Sequence, residues 1–137
     1  MIPPVAHVIW LGESLSPVAW LTVRSALARS GLSVRLHTDQ AEPLARHPLV
    51  RDLLSRPGFE LHPLAALADP ALDALDQILP GPAARADVWR LRVLAEQGGV
   101  YLDADAIVLR DLGPLLQAPG FAGLERVALP EIGRAHV

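Results

Sequence analysis

Cysteine, lysine and asparagine are missing from this 137-residue chain. Without cysteine, the protein has no disulfide scaffold and no thiolate zinc or iron–sulfur site. Without lysine, a P-loop lysine and a Schiff-base lysine are excluded, and all 12 basic residues are arginines. Any chemistry must therefore use carboxylates, arginines, histidines or hydroxyl groups.

Positive charge and long apolar runs are also scarce. The net charge of −3 argues against a nucleic-acid partner, because phosphate-binding domains are usually basic. No segment approaches the roughly 18 consecutive apolar residues that a membrane span needs, and the first residues lack the features of a signal peptide. We therefore expect a cytoplasmic protein without a transmembrane segment, and a peripheral position at the inner membrane surface stays open.

Apolar runs, prolines and glycines predict an alternation of strands and helices. Strands are predicted at residues 5–10, 33–38, 59–64 and 100–103. Clear helices are predicted at 17–30 and 82–97, because each begins at a proline and is followed by glycine. Weaker helices fall within 41–80. This order predicts one α/β domain with an open, mostly parallel sheet and flanking helices.

Two aspartates, Asp103 and Asp105, follow the last predicted strand in the segment GGVYLDADAIVL. Ligands of open α/β sheets bind beyond the carboxyl ends of the strands. In an extended chain, side chains at i and i+2 point the same way, and two close carboxylates repel unless a cation lies between them. Mg²⁺ and Mn²⁺ bind one or two carboxylates together with substrate phosphates, which predicts a metal–diphosphate site. The alternative is a pair of surface turn aspartates.

The helix at 82–97 carries a second pair of charges. A helical wheel places Asp87 and Arg90 at i,i+3 within its broad apolar face, and Trp89 towards the polar side with Arg85. Buried charges are costly unless they are paired or bound to a ligand. Two interpretations remain, a structural ion pair or a pair facing the ligand cleft.

Trp10 ends the first predicted strand, where a nucleobase could stack on its ring. The alternative is a core tryptophan. The histidines show no metal-ligand spacing and are predicted to be structural or solvent-facing; those considered are His7, His37, His47 and His62.

The segments IPPVAHVIWLG and AARADVWRLRVLAEQGGVYLDADAIVLRDLGPLL closely resemble glycosyltransferases whose sugar-binding region contains a DXD motif. That family includes bacterial capsular and surface-polysaccharide glycosyltransferases and fungal initiating mannosyltransferases. The catalytic domain of large clostridial toxins is a more distant relative. The resemblance implies a GT-A-type, Rossmann-like fold, of which residues 1–131 would form the N-terminal, nucleotide-sugar-binding part.

The resemblance also implies a reaction. The enzyme would move a sugar from a UDP- or GDP-sugar to a saccharide or other acceptor, in surface-polysaccharide or glycoconjugate synthesis. Asp103 would contact the sugar donor and a Mn²⁺ or Mg²⁺ ion, and Asp105 would ligate the metal. The other donor-binding residues that it implies are Trp10, Asp87, Arg90 and Tyr101.

The chain departs from the family pattern at its end. Family members continue well beyond this motif, so we expect a C-terminally truncated enzyme. Residues 132–137 (IGRAHV) resemble translated adapter DNA, which predicts a non-native tail. One alternative is a catalytically incomplete nucleotide-sugar-binding fragment. Another is a haloacid-dehalogenase-like phosphatase with Asp103 as nucleophile, which Ile107 and the lack of lysine disfavour.

Overall fold

The computed structural model describes residues 1–67 and 69–124, in which four parallel strands form one sheet of order β3-β2-β1-β4. The strands are β1 (Val5–Trp10), β2 (Ser33–Thr38), β3 (Phe59–Pro63) and β4 (Val100–Tyr101). The helices are α1 (Pro17–Arg29), α2 (Ala41–Ala45), α3 (Pro48–Leu54), α4 (Pro70–Ile78) and α5 (Pro82–Gln97). Short 3₁₀ segments lie at Leu64–Leu67 and Gly113–Gln117. The predicted α/β fold with an open parallel sheet is confirmed.

The strand order creates a crevice beside β1. β1 pairs with β2 along its whole length, from Val5 opposite Ser33 to Trp10 opposite Thr38. On its other side β1 pairs with β4, where His7 lies opposite Tyr101. The chain passes from β1 to β2 and β3 on one side and then crosses to β4 on the other side of β1. The carboxyl ends of β1 and β4 therefore flank the topological switch point, where ligands of such sheets bind.

Local signals in the sequence set the ends of the two long helices. Ser16 caps α1, since its Oγ accepts a hydrogen bond from the Ala19 amide at 3.0 Å. α5 ends at Gly98 and Gly99, which both have positive φ angles. A Cβ on Gly99 would lie 2.5 Å from the carbonyl oxygen of Val5. Glycine therefore lets β4 approach β1.

The core lies on both faces of the sheet. On one face, the buried side chains of β1 and β2 meet α1 and α3, as at Val8, Val23 and Leu53. On the other face, Ile9 packs with α4 and α5. The carboxyl ends of β1 and β4 are thus held between two packed layers.

The buried face of α5 differs from the predicted one. Trp89 is only 4% exposed and, with Val93, packs in the core, whereas Leu91 is 65% exposed. The indole Nε1 of Trp89 donates to Asp76 of α4 at 3.0 Å. The wheel misplaced Trp89 and Leu91 because apolar residues occur around most of this helix, and the position of α4 selects the buried side.

Two buried histidines lie on the α5 face of the sheet. The Nε2 of His7 donates to the Gly98 carbonyl at 2.9 Å. The Nδ1 of His7 therefore accepts, at 2.9 Å, from the Nε2 of His37. In the described part of the chain, Nδ1 of His37 has no hydrogen-bond partner. Both rings are thus structural and neutral.

None of the helices in the described ranges is long and apolar enough to cross a membrane. The tail predicted at 132–137, and the boundary at residue 131, lie outside the described residues.

Candidate functional site

A cavity of about 540 Å³ opens at the switch point. The end of β1 and the first turns of α5 form its walls, and the segment after β4 completes it. Its volume lies within the range typical of small-molecule sites, roughly 300–1,000 Å³. The sequence-predicted residues that line it are Trp10, Asp87, Tyr101, Asp103 and Asp105.

The two aspartates lie in a turn. β4 ends at Tyr101, and the Ala106 amide donates to the Asp103 carbonyl at 3.0 Å. The prediction that the strand extends to residue 103, with two aspartates along extended chain, was therefore wrong. Both carboxylates are exposed and face the same cavity, so the turn still brings them to one site.

Hydroxyl groups of α1 hold this turn in place. The buried Thr22 donates through Oγ1 to the Ala104 carbonyl at 2.9 Å. Three residues along the helix, Ser25 Oγ accepts from the Val108 amide at 2.9 Å. The turn is thus fixed on both sides of Asp105 by contacts that do not belong to the sheet.

The two carboxylates fit a divalent cation that a substrate also ligates. Within residues 1–67 and 69–124, no group of three or more His, Asp or Glu side chains could hold a metal ion by itself. Mg²⁺ and Mn²⁺ prefer oxygen ligands and usually combine one or two carboxylates with phosphates and water. Asp103 and Asp105 provide that oxygen pair at an open cavity.

Asp87 and Arg90 do form an ion pair, with 3.6 Å between Arg90 Nη1 and Asp87 Oδ1. However, their side chains are 66% and 40% exposed, so the prediction that both lie in a buried apolar face was wrong. The helix turns that face to solvent because Trp89 and Val93 occupy the core side. Neither charge needs a ligand to offset burial.

This pair lies between the first cavity and a second one of about 730 Å³. Asp87 lines the first cavity and Arg90 the second, while Tyr101 and Asp103 line both. The Arg90 guanidinium carbon lies 5.7 Å from the centre of the Tyr101 ring. A ligand that extends from one cavity into the other would therefore lie beside Tyr101 and Asp103.

Tyr101 keeps its proton at neutral pH. Burial, and then the negative charge of Asp103, raise the pKa of this hydroxyl to about 12, against an opposing effect of Arg90. A phenol in that state can donate a hydrogen bond to a ligand in either cavity.

Trp10 closes the other wall of the first cavity. Its indole Nε1 donates to the Ser14 carbonyl at 2.8 Å, and the ring is partly buried against the main core. The side chain is therefore both a core contact and part of the cavity wall.

Asp39 was not among the predicted site residues, and its partners were missed as well. Asp39 accepts from the Gly12 amide at 2.9 Å and pairs with Arg85 at 3.5 Å. Arg85 in turn binds both oxygens of Asp76. The only sequence signal was the place of Asp39 at a strand end.

Comparison with known proteins identifies a family. The model of the glycosyltransferase sugar-binding region containing a DXD motif matches residues 39–122. No curated protein matches the chain. A solved structure, PaToxG Glycosyltransferase, superposes with a TM-score of 0.62 at 18% sequence identity, over 82% of this chain and 45% of that chain. This likeness supports the expected GT-A-type fold, and the chain spans less than half the length of that structure.

Proposed function

Because the chain belongs to the family of glycosyltransferases whose sugar-binding region contains a DXD motif, we propose that it binds a nucleotide-diphosphate sugar for transfer to an acceptor. The cavity at the switch point carries this proposal. It joins an aromatic ring, a protonated tyrosine and two carboxylates at the ends of adjacent parallel strands. These are the groups that a base, a sugar and a metal-bound diphosphate require.

The nucleoside part of a UDP- or GDP-sugar would lie against Trp10. Its ring offers a stacking surface, and Leu11 and Val18 add apolar lining. Uracil and guanine both have π faces, so stacking alone does not select between them.

The diphosphate would lie near Asp103 and Asp105, which would hold Mn²⁺ or Mg²⁺. When bound, such an ion stabilises negative charge on the departing diphosphate as a Lewis acid. The two carboxylates would hold the ion at the cavity, and the turn fixed by Thr22 keeps their backbone in place.

The transferred sugar would lie near Tyr101, at the junction of the two cavities. There the Asp87 carboxylate can accept hydrogen bonds from sugar hydroxyls, and the Arg90 guanidinium can donate them. The protonated Tyr101 hydroxyl is a further donor. Asp87 and Arg90 already form an ion pair. Less side-chain conformational freedom would therefore be lost when a sugar binds.

Transfer itself requires an acceptor, for which we propose a saccharide in surface-polysaccharide or glycoconjugate synthesis. The chain covers 45% of the solved glycosyltransferase, and none of the roles proposed for its described residues is that of a catalytic acid or base. A second candidate is binding of the sugar donor without completed transfer.

Calorimetric titration of UDP and GDP, with and without Mn²⁺, tests the binding site. We expect Mn²⁺-dependent binding of one nucleotide, weakened about tenfold or more by Asp103→Asn or Asp105→Asn, since each removes a charged metal ligand. Asp73→Asn is the control, because Asp73 is an exposed carboxylate on α4 outside the cavity. Equal binding by all three variants would contradict the metal site.

Release of UDP or GDP from a panel of nucleotide sugars then separates the two candidates. An active transferase should consume the sugar donor, faster with acceptor, and lose this activity in Asp105→Asn. Binding without any donor consumption would favour the second candidate instead.

A further inference from the structure

A chain of polar contacts joins the two walls of the first cavity from outside. It runs from the Gly12 amide through Asp39 and Arg85 to Asp76. Gly12 lies just after β1, and Arg85 lies in the first turn of α5. None of these four residues lines the cavity, but Leu11 and Ala86, the sequence neighbours of Gly12 and Arg85, do.

Asp39 holds the loop that follows β1. Trp10 and Thr38, the last residues of β1 and β2, lie opposite each other in the sheet. The segments that follow the two strands therefore begin side by side. The Asp39 Oδ1 accepts from the Gly12 amide at 2.9 Å. Gly12 has a φ of +119° with open space around it, and the loop has no regular ladder of hydrogen bonds. This carboxylate therefore restrains the loop at Gly12, while the Trp10 indole restrains it at Ser14.

Arg85 links that loop to the opposite wall. Its Nε and Nη2 bind the two oxygens of Asp76 at 2.8 and 3.0 Å, and Nη2 reaches Asp39 Oδ2 at 3.5 Å. A guanidinium held bidentately has a fixed direction. Because Ala86 follows it in the same turn and lines the cavity, the position of Arg85 sets the position of that wall.

The charges in this chain of contacts depend on each other. Arg85 is the shared cation of two carboxylates, and its side chain is 27% exposed. Its hydrogen bonds lower the pKa of Asp76, and Asp76 raises the pKa of Arg85. Without Arg85, the carboxylates of Asp39 and Asp76 would lose their common partner and repel each other.

We propose that Asp39 and Arg85 are positioning residues that set the separation between Trp10 and the α5 wall for a bound nucleoside diphosphate. The inference rests on the proposed function. As positioning residues, Asp39 and Arg85 would not touch the ligand themselves. Both act through the loop at Gly12 and the first turn of α5.

The test compares Arg85→Gln and Asp39→Ala with a matched control, Arg92→Gln. Arg92 lies on the same helix and is 33% exposed. It pairs with Glu96 at a distance of 3.0 Å, and neither residue lines the cavity. UDP and GDP with Mn²⁺ are the probes, measured by calorimetry on the full chain, with melting temperature recorded for each variant. Asp39→Asn is added because its Oδ1 can still accept from the Gly12 amide.

We expect Arg85→Gln and Asp39→Ala to weaken binding about two- to fivefold, in keeping with a partly exposed charged contact. Asp39→Asn should fall between them and the unsubstituted chain, and Arg92→Gln should bind normally. Amide hydrogen exchange of residues 11–15 should be faster in Arg85→Gln, a change that a general loss of stability would not confine to this loop.

Two results would overturn the inference, and they differ. If the unsubstituted chain binds a nucleotide and Arg85→Gln binds it equally well, the positioning role fails while the proposed function stands. If the unsubstituted chain binds neither UDP nor GDP, the proposed function fails and the positioning role fails with it.

Discussion

The buried pair His7 and His37 should make the fold sensitive to mild acid. Each ring uses one N–H, and protonating His7 would put a second proton between the two rings. Protonating His37 would create a buried N–H without a partner in the described residues. Burial therefore lowers the pKa of His7 to about 4 and, together with the neighbouring His7, that of His37 to about 3.

The sign and size of the effect follow from linkage. The unfolded chain takes up protons near its ordinary histidine pKa of about 6.5, whereas the folded pair stays neutral until the pH is much lower. Stability is thus complete above about pH 7.5 and falls with decreasing pH. At about pH 5 the loss is about 2 kcal/mol for each histidine, or about 4 kcal/mol for the pair.

The other charged groups near the two histidines do not alter the pH range of this effect. Arg35 of β2 and His62 of β3 further lower the pKa of both rings. The pKa of Glu60, which pairs with Arg35, is itself lowered by that contact. Carboxylates with lowered pKa lose their stabilising effect only when the pH falls through their own, more acidic range. Such carboxylates therefore change the stability little between about pH 5 and 7.5.

Urea unfolding at about pH 7.5 and 5 measures the loss, and NMR titration of the ring protons locates the two pKa values. The control is Val34→Ala, which removes buried methyl groups from β2 and should lower stability equally at both pH values. Equal stability of the unsubstituted protein at both pH values would refute the reasoning. So would folded-state ring titrations near pH 6.5.

Three further predictions concern α5 and β4. Gly99→Ala should destabilise the fold by about 1–3 kcal/mol in urea unfolding, because φ is +88° and a Cβ would lie 2.5 Å from a β1 carbonyl oxygen; an unchanged midpoint would contradict this packing. Trp89→Phe should cost about 1 kcal/mol in the same assay, since Asp76 loses a hydrogen-bond donor; a more stable variant would argue against that contact. The only tyrosine, Tyr101, should titrate near pH 12 by ultraviolet absorbance and at lower pH in Asp103→Asn; an identical pKa would show that this carboxylate does not act on it.

Much of the fold could be predicted because its signals are local. Ser16 and Pro17 mark the start of α1, and the glycines that follow α1 and α5 mark their ends. The strands β1 and β2 were predicted with their observed bounds. Each of these signals depends on a few consecutive residues, so it can be read from the sequence alone.

The site could be predicted in position more than in geometry. The strand-end rule directed attention to Trp10 and the two aspartates, which line one cavity. The turn at Asp103 depends on a hydroxyl of α1 that is 82 residues away from its partner, and the burial of Trp89 depends on α4. Contacts of this kind arise only when separate elements meet. The roles of the individual site residues stay predictions.

The turn after β4 is held in place by α1 as much as by the sheet. β4 forms only two residue pairs with β1, whereas Thr22 and Ser25 fasten the aspartate segment from the other side. A designer who transplants this aspartate loop into another parallel sheet would therefore need to carry two helical hydroxyls with it. For the same reason, substitutions at Thr22 or Ser25 should change the behaviour of the loop without touching any residue of its motif.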